Sequence, residues 1–124
     1  MTKKREIYHC LTCGNLVEVV NEGAGQLVCC GKPMHLLEGN TVDASAEKHV
    51  PVVENIEGGY KVTVGMAHHP MTPEHYIQWI ELLTAGRVMR QELCHDSEPT
   101  AVFMTCEKAV EARAYCNLHG LWKR

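Results

Sequence analysis

Aromatic residues are scarce in this chain, 6% of its 124 residues, and no apolar run approaches the ~20 residues that a membrane-crossing helix needs. No block of lysine and arginine follows the opening Met1-Thr2-Lys3-Lys4-Arg5, and the formal net charge is -3. With few stacking side chains and no basic patch, nucleic acid is excluded as the main partner, and the basic start reads as a solvated tail. The N-terminus carries charge without the apolar stretch of a secretory signal, so a soluble, cytoplasmic protein without membrane contact is expected.

What the chain does have is sulfur and imidazole: seven cysteines and eight histidines. An odd number of cysteines, several clustered as Cys-x-x-Cys and Cys-Cys, reads as metal binding in a reducing compartment rather than as a disulfide framework. The length allows one sizeable hydrophobic core but not two, so a second domain needs a staple.

The first cluster lies in residues 8–37. Cys10-Leu11-Thr12-Cys13-Gly14 has the spacing of a metal knuckle, and Cys29-Cys30-Gly31 supplies two further thiolates. Neighbouring residues of an extended chain point to opposite faces, so Cys29 and Cys30 reach one ion only if the backbone bends sharply. Four thiolates do not declare their metal; on spacing alone a structural zinc knuckle comes before iron. Between the two halves of the site, residues 15–20, 21–25 and 26–28 read as strand, turn and strand. About thirty residues bury too little surface to fold unaided, which makes the metal the staple.

The second cluster gathers around Tyr115-Cys116-Asn117-Leu118-His119-Gly120. A thiolate and an imidazole three positions apart meet at one ion when the backbone turns tightly, and Gly120 permits such a turn. Glu47-Lys48-His49-Val50-Pro51, His68-His69-Pro70-Met71 and Pro73-Glu74-His75-Tyr76 offer more histidines to close around Cys116. Nitrogen-rich coordination with one thiolate suits redox-active iron or copper better than magnesium or calcium. Either His68 or His69 is placed to face a metal; spacing does not choose between them.

The segments around His49, His69-Pro70-Met71, His75-Tyr76-Ile77-Gln78-Trp79-Ile80 and Tyr115–Gly120 resemble, in order and spacing, the signature segments of superoxide reductases. With the N-terminal cysteines included, the chain from about Tyr8 to Trp122 resembles desulfoferrodoxins, the members with a second iron. The resemblance implies two iron ions per chain. One is held by Cys10, Cys13, Cys29 and Cys30 in a desulforedoxin-like centre. The other is a ferrous ion with equatorial nitrogens from His49, His69, His75 and His119, an axial sulfur from Cys116 and an open sixth position. It selects His69 over His68, because only His69 is followed by Pro-Met. It further implies one-electron reduction of superoxide to hydrogen peroxide, with Lys48 attracting the anion, Glu47 taking the sixth position of ferric iron afterwards, and re-reduction by a small donor such as rubredoxin. A homodimer is also implied. A two-iron electron-transfer protein without its own substrate and a zinc-stapled interaction module are the alternatives.

The expected fold is mainly β: a desulforedoxin-like domain over residues 1–38, a small polar linker and mobile active-site loop over 39–48, and a catalytic immunoglobulin-like β-sandwich over 49–124. Residues 50–54 read as a strand whose proline suits an edge or a first position, 55–59 as a turn, and 60–66 as an alternating strand with Tyr60, Val62, Val64 and Met66 on one face. Residues 76–83 fit a helical stripe as well as a two-sided strand, and 107–115 have helical composition; the resemblance decides both for strands. Residues 87–94 and 100–106 read as a hairpin across 95–99, a register that keeps Cys94 and Cys106 apart and leaves them buried or half-buried free thiols. His9, His35 and His95 match no ligand motif.

Overall fold

The computed structural model describes residues 1–41, 49–65 and 69–124, and every regular element among them is a β-strand. The chain divides into two compact units, Met1–Glu38 and Gly39–Arg124. Glu47, Lys48, Met66 and His68 lie outside the described residues.

The first unit has two small sheets. β1 (Ile7–His9) stands between β2 (Leu16–Glu18) and β5 (His35–Leu37), while β3 (Val28–Cys29) pairs only with β4 (Lys32–Pro33). Strands form at both ends of the segment 15–28, as β2 and β3, but they belong to different sheets and do not pair with each other. The two-residue loop of the β3–β4 hairpin is Cys30-Gly31, with φ of 51° and 73°. Two successive left-handed residues make a type I′ turn, whose twist matches the flanking strands. This is the sharp bend that two adjacent cysteines require. Ile7, Cys10 and Val19 are the buried hydrophobic residues of this unit, a core too small to stabilise it alone.

The second unit is an immunoglobulin-like sandwich. One sheet has the order β10 (Thr100–Met104), β7 (Gly59–Val64), β6 (Pro51–Ile56); the other has the order β12 (Gly120–Lys123), β11 (Ala109–Cys116), β8 (Ile77–Thr84), β9 (Val88–Glu92). Pro51 opens β6, which is an edge strand, so its missing N–H costs no ladder bond. Val62 and Val64 point inward from β7 and meet Ile77, Ile80, Leu82, Ala101, Phe103, Ala112, Ala114 and Cys116. Each of the large aliphatic groups excluded from water there contributes about 1.5–3 kcal/mol.

β8 and β11 are the central strands of their sheet, and both show why periodicity fails for them. In β8 the outward Glu81 and Leu83 are as buried as the inward Ile80 and Leu82, and in β11 the run Ala112–Cys116 is buried on both faces. A strand covered on both sides has no apolar alternation.

The expected hairpin over residues 87–106 does not form. β9 pairs with β8, β10 pairs with β7, and the connection between them crosses from one sheet to the other. Cys94 and Cys106 are free and exposed rather than buried. The expected linker also begins later than its composition suggests: Asn40 donates to Leu121 O and accepts from Lys123 N, which adds it to the edge beside β12.

Candidate metal centres

At the N-terminal centre, Gly14 at φ +87° closes the knuckle and its N–H donates to Cys10 O. The Cys13 N–H points at Cys10 Sγ, 3.5 Å away, and Asn15 Nδ2 donates to Cys29 Sγ at 3.6 Å. Cys13 Sγ and Cys29 Sγ are 3.6 Å apart, and the sulfurs of Cys10, Cys13, Cys29 and Cys30 all lie within 4.8 Å of one another. Around an ion at ~2.3 Å, tetrahedral sulfurs are roughly 3.8 Å apart, so this set fits a metal.

The thiols also show the charge that a cation would offset. The Cys13 backbone N–H holds Cys10 down at about 6. Cys29 is raised, chiefly by Cys13, and Cys30 is pushed up to about 12 by Cys13, then Cys10 and Cys29. Four thiolates cannot gather at this spacing without a positive ion between them.

The second centre is assembled from four places in the sandwich. His49 precedes β6, His69 follows β7, His75 precedes β8, Cys116 ends β11 and His119 stands in the turn before β12. That turn has a three-residue loop, Asn117 to His119, closed by Gly120 at φ +82°, where a side chain would be strained. His75 is set by a second turn: Thr72 N donates to His75 O at 2.9 Å, and Thr72 Oγ1 accepts from His75 N at 3.1 Å.

Neighbouring imidazole centroids lie 4.5 Å (His49 to His69), 4.6 Å (His69 to His75), 5.0 Å (His75 to His119) and 4.9 Å (His119 to His49) apart. The diagonal from His49 to His75 is 6.5 Å, so the four rings stand near the corners of a square. Cys116 Sγ lies 3.5 Å from His69 Nε2 and 3.8 Å from His119 Nδ1, while His49 Nε2 lies 3.1 Å from His119 Nδ1. For a first-row ion at ~2.1 Å from nitrogen and ~2.3 Å from sulfur, ligands at right angles are roughly 3.0–3.1 Å apart and opposite ones about 4.2 Å. The five ligand atoms lie within 4.8 Å of one another and fit one ion with four nitrogens and one sulfur.

The surroundings orient the ligands. His69 Nδ1 is 2.7 Å from Pro70 O, so a proton held there leaves Nε2 as the free base that faces the sulfur. Ile77 N donates to Met71 Sδ at 3.4 Å, which gives the methionine after Pro70 a part in fixing the same segment. Trp122 stacks on His49 and donates from Nε1 to His119 O at 3.1 Å. Cys116, His49 and His69 are buried, His75 is half-buried and His119 is exposed, so the centre reaches water on the histidine side while its sulfur faces the core. Burial, then the charge of Cys116, raises the Tyr115 phenol above its ordinary value.

All nine ligands expected from the sequence that fall in described residues enter these two sets, and His9, His35, His95, Cys94 and Cys106 enter neither. Sequence reasoning missed Asn117 and Trp122 as supporting groups. Their nearness to Cys116 and His119 was the available signal, but hydrogen bonds to backbone atoms leave no spacing pattern.

The family model described as desulfoferrodoxin matches residues 41–124, and the one described as desulfoferrodoxin, N-terminal domain, matches residues 2–37. Desulfoferrodoxin from Syntrophotalea carbinolica is 54% identical over 122 residues, covering 98% of this chain and 97% of its own. The desulfoferrodoxin of Desulfarculus baarsii is 54% identical over 123 residues, with 99% and 98% covered. Among solved structures, the superoxide reductase from Treponema pallidum superposes with a TM-score of 0.81 at 34% identity and 96% coverage of both chains. Since one family segment contains the four-cysteine set and the other the square of histidines with Cys116, this chain belongs to the desulfoferrodoxin family.

Proposed function

We propose that this chain is a superoxide reductase, which converts superoxide to hydrogen peroxide with one electron and two protons at His49, His69, His75, His119 and Cys116. The observation that carries the reading is the square of four imidazoles with one buried thiolate behind it and water on the other side. Iron held there would supply the electron to superoxide.

The residues divide the remaining work. His49, His69, His75 and His119 would hold the ion through uncharged ring nitrogens that leave its charge intact, and the Cys116 thiolate, facing the core, would add electron density to it. His69 keeps its ring orientation through Pro70 O, and His49 through the indole of Trp122. Lys48, next to His49 in sequence, draws the anionic substrate in and orders water that supplies the protons. Glu47, two residues before His49 in sequence, would supply a carboxylate ligand to the oxidised ion. Cys10, Cys13, Cys29 and Cys30 would hold the N-terminal iron.

The reading includes a cytoplasmic homodimer re-reduced by a small electron donor such as rubredoxin. No helix among the described residues is long and apolar enough to cross a membrane. Metal analysis followed by mixing with superoxide tests the proposal: two irons per chain in unlike sites and consumption of superoxide are expected. Zinc in both sites, or iron that superoxide does not oxidise, would return the chain to the interaction or electron-transfer alternatives.

A further inference from the structure

Asn117 stands between the two ligands of the Cys-x-x-His turn, where the β8–β11 ladder has already ended. The last paired residues are Cys116 and Ile77, after a register shift at Tyr115/Cys116. Beyond that point the Asn117 N–H still donates to Tyr76 O at 3.2 Å. The reciprocal bond of an antiparallel pair does not come from the Asn117 carbonyl. It comes from the side chain: Tyr76 N donates to Asn117 Oδ1 at 2.9 Å. The other end of the amide, Nδ2, donates to Glu74 O at 2.9 Å.

Three bonds from one half-buried residue thus grip the peptide groups on both sides of His75. Asn supplies an acceptor and two donors on one short planar group, which is what this bridge needs. Because the side-chain oxygen replaces the backbone carbonyl in the ladder, the main chain at Asn117 is released to turn, and the turn brings His119 to the site.

We infer that Asn117 is a positioning residue that fixes His75 relative to Cys116, and so sets the shape of the histidine square around its metal. The inference rests on the reading that this set holds iron. The Thr72 turn holds the N–H and carbonyl of His75 itself. Asn117 ties that turn across to the strand carrying the thiolate.

The test uses the two-iron protein with Asn117→Ala and Asn117→Asp, the second keeping an acceptor for Tyr76 N while losing the donor to Glu74 O. Three quantities are read: loss of iron from the histidine site to a chelator, the resonance line shape of that site when ferric, and backbone amide exchange over residues 72–77. The expected result is about 10-fold faster iron loss in Asn117→Ala, the low end for removal of an outer-shell partner. A changed line shape, faster exchange at 72–77, an unchanged N-terminal iron and a smaller effect in Asn117→Asp should accompany it. Wild-type iron retention and line shape in either variant overturns the inference, and Asn117→Asp decides alone if Asn117→Ala does not fold. Loss of iron only in step with general unfolding also overturns it, since Asn117 is then part of the scaffold. Wild-type protein that holds no iron at the histidines overturns the functional reading together with this one.

Discussion

His49 lies flat against Trp122, with ring centroids 4.5 Å apart and planes 16° from parallel. The same indole donates from Nε1 to His119 O, so one side chain supports two neighbouring corners of the square. Trp122→Phe keeps a ring to stack and loses the donor, which should cost about 1 kcal/mol. Trp122→Ala also removes a buried aromatic from the sheet and should cost about 3–5 kcal/mol. Urea unfolding followed by circular dichroism measures both, and equal costs for the two variants would remove the hydrogen bond from the account.

Glu81 carries a second prediction. It is fully buried on β8, with Arg113 Nε at 2.8 Å from Oε1 and Arg90 Nε at 2.9 Å from Oε2. Glu81 therefore joins β8 to both of its neighbours in the sheet. Glu81→Ala leaves the Arg113 charge buried with its carboxylate gone and should destabilise the second unit by about 3–5 kcal/mol. A loss below about 1 kcal/mol, the usual worth of an exposed pair, would mean that water reaches the site.

Much of this site was legible because motif order survives folding. The family resemblance of short segments singles out His49, His69, His75, Cys116 and His119; the four histidines form the square and Cys116 lies behind it. The strands were harder. Residues 60–64 alternate because one face of β7 meets the core, but β8 and β11 are covered on both faces and lose the period. The apolar patterns of residues 87–94 and 100–106 suit a hairpin as well as a switch between sheets, and only the pairing with β8 and β7 separates these. The bend at Cys30-Gly31 was required by the ligands, whereas its type I′ form needed two dihedral angles.

Proton release tests the N-terminal centre. In the metal-free site Cys10, held at about 6, is a thiolate near pH 7, whereas Cys29 and Cys30 are raised and keep their protons. Metal uptake must displace those protons, so the apparent affinity should rise with pH above about 6 and fall on acidification. Titration of apo protein with ferrous ion in weak buffer at pH 7 and pH 8 reads both the affinity and the protons released. Affinity independent of pH would mean that the thiols are already ionised. Cys13→Ser should lose this metal and leave unfolding of the second unit unchanged.

Lys48 separates charge from coordination. Protonated, it binds no metal, so Lys48→Ala should keep both irons and slow the encounter with superoxide. Unit charges ~6 Å apart attract by about 0.7 kcal/mol in water and about 3 kcal/mol at an effective dielectric of ~20, a loss of roughly threefold to a hundredfold. A site open to water belongs near the lower end. Salt screens the attraction over ~10 Å at ~0.1 M, so the wild-type rate should fall with ionic strength more than the variant's. Equal rates and salt slopes would make Lys48 an ordinary surface charge.

Rapid mixing of the reduced two-iron protein with superoxide, alongside iron-loaded Cys116→Ser, tests the central claim most directly. The account predicts second-order oxidation of the wild-type histidine site toward the ceiling of ~10⁸–10⁹ M⁻¹s⁻¹, hydrogen peroxide formed without dioxygen, and a rate at least about tenfold lower once the Cys116 thiolate is replaced. Release of dioxygen, or a Cys116→Ser protein that reacts at the wild-type rate with its iron in place, would contradict it.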